Sequence, residues 1–123
     1  MYHPVITDVE GLSMNDEERA LFKELKPFGF ILFQRNCDTP EQVKALTDEM
    51  RDVVGNDDVP ILIDQEGGRV ARLQPPSWKK YPSAGVYSKL YENDPSLAEA
   101  AVQVQASLMA SELVKIGVNV DCY

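Results

Sequence analysis

The stretch Ile61-Leu62-Ile63-Asp64-Gln65-Glu66-Gly67-Gly68-Arg69-Val70-Ala71-Arg72-Leu73 (ILIDQEGGRVARL) starts as a strand and ends as a charged turn. With Val59 and Pro60 ahead of it, Ile61-Leu62-Ile63 is the short, continuous apolar run of a strand covered on both faces, the kind that parallel sheets use. An acid, an amide, a second acid, two glycines and an arginine follow at once. In parallel α/β folds ligands gather at the carboxyl ends of the strands, and Asp64 stands at such an end.

Working outward, the neighbouring segments alternate between strand and helix patterns. Pro4 to Val9 reads as a first strand. Asn15 caps a helix carrying Leu21, Phe22 and Leu25, with Glu18 as its capping-box partner. Gly29 opens the apolar run GFILF, a second strand. Thr39 caps the next helix with Pro40 at its first position, where a missing N–H costs nothing, and Gln42 is placed to reach back. Val43, Leu46, Met50 and Val53 recur there at helical spacing as one stripe.

Gly55-Asn56-Asp57-Asp58 ends that helix before the 59–64 run. From Gln65 to Asp94 the chain is rich in Gly, Pro, Ser and aromatic residues, predicting a long loop with a short helix around Val86 to Tyr91. Asp94 and Pro95 then start a helix with Leu97, Ala101, Val104 and Leu108 on one face, Gly117 ends it, and GVNVDCY is a fourth strand. Repeated β-then-α order forces parallel pairing, because each helix carries the chain back along the sheet. A doubly wound sheet and part of a (β/α)8 barrel both fit. There is no internal repeat and no low-complexity tract.

With 123 residues, 44% of them hydrophobic, the chain suffices for one modest domain. Its 12 Lys+Arg against 20 Asp+Glu give a formal charge of −8, with no basic run, which disfavours nucleic acid and anionic membrane surfaces as partners. No apolar run approaches the roughly 20 residues of a bilayer span, and MYHPVITDVE lacks an export-signal pattern, so a cytoplasmic location is expected. Cys37 and Cys122 lack the spacing of a zinc site or a disulfide framework and read as reduced, partly buried thiols.

A carboxylate at a strand terminus accepts hydrogen bonds from vicinal hydroxyls, and an arginine fork donates several more, an arrangement suited to a sugar or polyol. Gly67 and Gly68 would turn the backbone away without a side chain obstructing the ligand. The competing reading is a solvated turn in which Glu66 and Arg69 neutralise each other; on chemistry alone the two stand level, because neither GxGxxG nor GxxxxGK[ST] is present. His3, the only histidine, lies at the chain start and reads as a surface residue. Arg35-Asn36, Asp8 and Asp121 fall at strand ends, where each either faces the site or belongs to an ordinary turn. Trp78, Tyr81 and Tyr87 either stack on a sugar or pin the long loop.

The block Asp64-Gln65-Glu66-Gly67-Gly68-Arg69-Val70, with Arg72 two residues on, resembles the signature of the glycoside hydrolase family 3 β-N-acetylhexosaminidases of the NagZ type. The likeness runs along the chain: Asp8-Val9-x-Gly11, Ile31-Leu32-Phe33-x-Arg35-Asn36, the Pro75-Pro76 loop and the Gly117-Val118 strand follow in matching order. It implies that residues 1–123 are the N-terminal part, about four βα strands, of a TIM (β/α)8 catalytic barrel, which in full takes roughly 250 residues. It further implies that Asp64 and Arg72 bind the non-reducing N-acetylglucosamine while Glu66, Gly67, Gly68 and Arg69 support the loop.

The implied reaction is hydrolysis of a terminal β-linked N-acetylglucosamine with retention, without metal or organic cofactor, in peptidoglycan-fragment recycling. The partner it implies is an N-acetylglucosamine-containing muropeptide or saccharide. The family's Lys-His-Phe-Pro-Gly-His-type segment with its acid/base histidine and its nucleophilic aspartate have no counterpart here, so no catalytic residue is assigned; both groups are expected beyond Tyr123, and the chain alone is expected to be inactive. It is also expected to be marginally stable, self-associating or ordered only with the rest of its protein, with strand residues such as Ile31, Ile61 and Ile63 uncovered. Two alternatives are a complete small α/β domain that binds a sugar without turnover, and an assembly piece whose open strand edges pair between copies.

Overall fold

A computed structural model describes residues 2–123. Its main sheet has four parallel strands, β1 (His3–Thr7), β2 (Pro27–Leu32), β3 (Ile61–Ile63) and β6 (Val120–Asp121), side by side in that order. Between them run helices α1 (Asp16–Leu25), α2 (Pro40–Val54), α3 (Ala84–Tyr91) and α4 (Pro95–Lys115), and a two-stranded antiparallel hairpin, β4 (Gln65–Gly67) with β5 (Val70–Ala71), follows β3 directly. A doubly wound sheet reverses its strand order at a switch point. Here spatial order equals chain order throughout, as in a barrel, and β1 and β6 leave the barrel unclosed.

The helix starts follow their side chains. Asn15 accepts from the Glu18 N–H at 2.9 Å while Glu18 Oε2 accepts from the Asn15 N–H at 2.9 Å, closing the capping box. Thr39 Oγ1 accepts from the Gln42 N–H at 3.2 Å, and Asp94 Oδ1 from the Leu97 N–H at 3.0 Å. Gln42 reaches back one residue further than a capping box does: its Oε1 accepts from the Asp38 N–H at 2.9 Å, and its Nε2 donates to Leu12 O and Asn36 O.

One face of the sheet packs on the helices. Phe30 and Leu32 of β2 and Ile61 and Ile63 of β3 are fully buried there with Phe22 of α1, Val43, Leu46 and Met50 of α2, and Leu113 and Ile116 at the end of α4. Ile61 and Ile63 are therefore covered, contrary to expectation. The side chains left partly open are those of alternate parity, Ile31, Leu62 and Val120, which the register sets in one row, together with Val5 and Ile6 of edge strand β1. Gly29 lets β2 approach its neighbour: a Cβ there would lie 2.8 Å from Pro60 O.

Other expectations give way to packing. The first strand ends at Thr7, and Val9 turns into the core instead of extending it. In α1 only Phe22 is buried, and Leu21 is exposed. On α2 the innermost last-turn residue is Val54, with Val53 packed beside it. On α4 the face bearing Leu97, Val104 and Leu108 is open, at 53%, 60% and 44% exposure, and the packed face carries Ala98, Gln105, Met109 and Leu113. That helix is apolar on nearly every side, so its periodicity does not select the stripe that packs.

Candidate functional site

Alternation along β3 sends Ile61 and Ile63 to the helices and so turns Leu62 and Asp64 to the opposite face. Because Ile31, Leu62 and Val120 are in register, the residues two further along, Phe33, Asp64 and Cys122, form the next row, at the carboxyl ends of the strands. Asp8 leaves β1 beside Ile31, one residue past the Thr7–Phe30 pairing. His3 opens β1 at the far end of the same strand, away from this rim.

The central contact is an ion pair in which Arg72 Nη2 donates to Asp64 Oδ2 at 2.5 Å, both side chains about one-quarter exposed. The ion pair of this turn thus joins Asp64 to Arg72, not Glu66 to Arg69, which are both exposed. At the ends of the two neighbouring strands, β2 and β1, Arg35 pairs with Asp8. Phe33 lies between the two pairs: the guanidinium carbon of Arg35 is 4.9 Å from its ring centroid and that of Arg72 is 6.0 Å, both within cation–π range. Among the described residues, Arg72 Nε is a buried donor with no partner.

The hairpin delivers Arg72 to Asp64. Gly68 has φ +62 at the first position of the two-residue Gly68-Arg69 turn, as a type II′ turn requires, and Gly67 has φ +85 at the irregular rung before it. The chain's own return loop crowds the glycines: a Cβ on Gly67 would sit 2.2 Å from Pro82 O, and one on Gly68 2.6 Å from Ser83 Cβ. The Gly68 N–H donates to Tyr81 O at 2.9 Å.

Two buried polar residues hold the rim together: Asn36, which the sequence set at a strand end as either site-facing or part of an ordinary turn, and Gln65, which it did not single out. Asn36 is fully buried; its Nδ2 donates to Val9 O at 3.0 Å and Gly11 O at 2.8 Å, and its Oδ1 accepts from the Phe33 N–H at 2.9 Å, tying the exit of β1 to that of β2. Gln65, also buried, accepts through Oε1 from the N–H groups of Arg72 at 2.9 Å and Leu73 at 3.1 Å. The available signal for Gln65 was parity: an amide one residue after an aspartate on the open face of the sheet points inward, where it must find partners.

Asp121, at the end of β6, accepts from the Gln65 N–H at 3.1 Å. Burial raises its carboxyl above its ordinary value, and the negative charges of Asp64 and Glu66 add to this against that hydrogen bond. The Cys122 thiol is pushed up by burial and then by Asp64 and Asp121, and burial alone takes Cys37 to about 12. Both cysteines are protonated, weakly nucleophilic thiols at neutral pH.

Trp78 and Tyr81 are buried and pin the long loop, so neither stacks on a ligand. Tyr87 hydrogen-bonds Gln105 and lines, with Tyr91, Val102 and Tyr123, a cavity of about 520 Å³ between α3 and α4 that neither Asp64 nor Arg72 lines. No helix among the described residues is long and apolar enough to cross a membrane.

No family model matches the chain. A β-hexosaminidase of Alkalilimnicola ehrlichii is 39% identical over 116 residues, 94% of this chain and 33% of that protein, and one of Psychromonas ingrahamii is 39% identical over the same length. Among solved structures, NagZ from Neisseria gonorrhoeae in complex with N-trifluoroacetyl-D-glucosamine superposes with a TM-score of 0.87 at 30% identity, over 95% of this chain and 34% of its own. A glycoside hydrolase family 3 β-N-acetylglucosaminidase from Paenibacillus superposes with a TM-score of 0.77 at 32% identity, over 94% of this chain and 21% of its own. The chain spans about a third of the length of the curated relatives it matches. In sequence and in fold, it corresponds to the N-terminal part of the NagZ-type β-hexosaminidases of glycoside hydrolase family 3.

Proposed function

We propose that this chain is the part of a β-N-acetylhexosaminidase barrel that grips the non-reducing N-acetylglucosamine. The observation that carries the reading is the Asp64–Arg72 pair at 2.5 Å on the carboxyl-end rim of a parallel, chain-ordered sheet. Arg72 engages one carboxylate oxygen of Asp64, and the remaining lone pairs can accept from vicinal sugar hydroxyls. Glu66, Gly67, Gly68 and Arg69 form the turn that brings Arg72 back to Asp64.

In this proposal the full-length polypeptide releases terminal β-linked N-acetylglucosamine with retention, its nucleophile and acid/base lying beyond Tyr123. Its substrates are cytoplasmic N-acetylglucosamine-containing cell-wall fragments, and the 123-residue chain by itself is inactive. The test is hydrolysis of a chromogenic N-acetyl-β-D-glucosaminide by the full-length polypeptide and by residues 1–123. Release by the former, in preference to the matching β-glucoside, and none by the latter is expected; no release by a folded full-length polypeptide sinks the assignment.

The open edges of β1 and β6 and the uncovered α4 face favour a second reading for the isolated chain, self-association through exposed backbone and apolar surface. A mass by light scattering that stays monomeric across a hundredfold range of concentration would exclude it.

A further inference from the structure

We infer that Gln65 is a positioning residue for sugar binding: its side-chain amide sets where Arg72 meets Asp64. The inference rests on the reading of Asp64 and Arg72 as the sugar-holding pair. The β4–β5 ladder has two rungs, Gln65 with Ala71 and Gly67 with Val70, so β5 ends one residue before Arg72. Past that point the N–H groups of Arg72 and Leu73 take a side-chain acceptor, Gln65 Oε1, at 2.9 and 3.1 Å. One buried oxygen thereby extends the hairpin's pairing by two residues and fixes the backbone from which the Arg72 side chain departs.

The other end of Gln65 is also held. Its N–H donates to Asp121 Oδ1 at 3.1 Å, and its neighbour in the chain is Asp64 itself. Gln65 thus lies between the two halves of the ion pair, linked covalently to Asp64 and by hydrogen bonds to the Arg72 backbone. Since Arg72 Nη2 already stands 2.5 Å from Asp64 Oδ2, a shift of an ångström in the Arg72 backbone forces the guanidinium to re-aim or the pair to open. Gln65 is 2% exposed and its side chain faces away from Asp64, so it acts through Arg72 and not by touching sugar.

The test uses steady-state kinetics of the full-length polypeptide on a chromogenic N-acetyl-β-D-glucosaminide, with thermal unfolding measured on each variant. Gln65→Met keeps the volume and removes the acceptor. It is expected to raise KM about tenfold or more, the scale of one lost charge-assisted contact, with kcat changed much less. Arg72→Ala and Asp64→Ala run alongside. If they alter KM and folded Gln65→Met does not, the positioning role is overturned while the sugar-site reading stands; if neither alters KM, the sugar-site reading itself fails. Should Gln65→Met not fold, Gln65→Asn, whose acceptor falls one methylene short, carries the same comparison, and an unchanged KM in that variant overturns the proposal.

Discussion

Asn36 has no accessible surface, and two of its three hydrogen bonds reach from the exit of β2 to the carbonyls that follow β1. Removing it strands the Phe33 N–H and the carbonyls of Val9 and Gly11 away from other partners, so Asn36→Ala should cost about 2–4 kcal/mol, read as a shifted urea midpoint. Gly67→Ala meets both a positive φ and the Pro82 carbonyl and should cost about 1–3 kcal/mol in the same assay. Asp121 has a pKa raised in the folded state, so folding favours its protonated form; the associated stability is present at low pH and is lost as pH rises through the folded pKa. Asp121→Asn should therefore be more stable than the parent at pH 7, with the difference closing as pH falls below the carboxylate range; a difference independent of pH would refute the cause given. The position of Asp64 was legible from the apolar run that it ends. The work of Gln65 was not, because nothing in the sequence shows that the adjoining ladder stops after two rungs.

Elements with end signals were readable. Asn15, Thr39 and Asp94 each accept the N–H three residues on, and Thr39→Ala should cost about 1 kcal/mol by thermal or urea unfolding. Elements without length were not: β4 and β5, three and two residues long, fall below any alternation pattern, so the segment after Asp64 reads as a loop although it folds back as a hairpin. Helix α4 shows a third case, in which the element was legible and its packed side was not. Its Leu97, Ala101, Val104 and Leu108 spacing is regular, yet an equally apolar stripe through Ala98, Met109 and Leu113 takes the core, with Gln105 accommodated by its bond from Tyr87.

For the molecule as a whole, strand–helix alternation predicted parallel pairing but left two architectures open, because strand order is a property of space and not of sequence. The observed order resolves them in favour of barrel topology, with edges at β1 and β6 and a half-open face through Ile31, Leu62 and Val120. A 123-residue chain carrying those edges should show a molecular mass that rises with concentration in size-exclusion chromatography, and a monomer with a sharp thermal transition would speak against the marginal stability expected of it. The central claim is that Asp64 holds the sugar, and its most direct test is kcat/KM of the full-length polypeptide on a chromogenic N-acetyl-β-D-glucosaminide before and after Asp64→Ala. Loss of the hydrogen bonds a carboxylate makes to two hydroxyls predicts a fall of at least about a hundredfold; a folded variant that keeps the parent value would contradict the account.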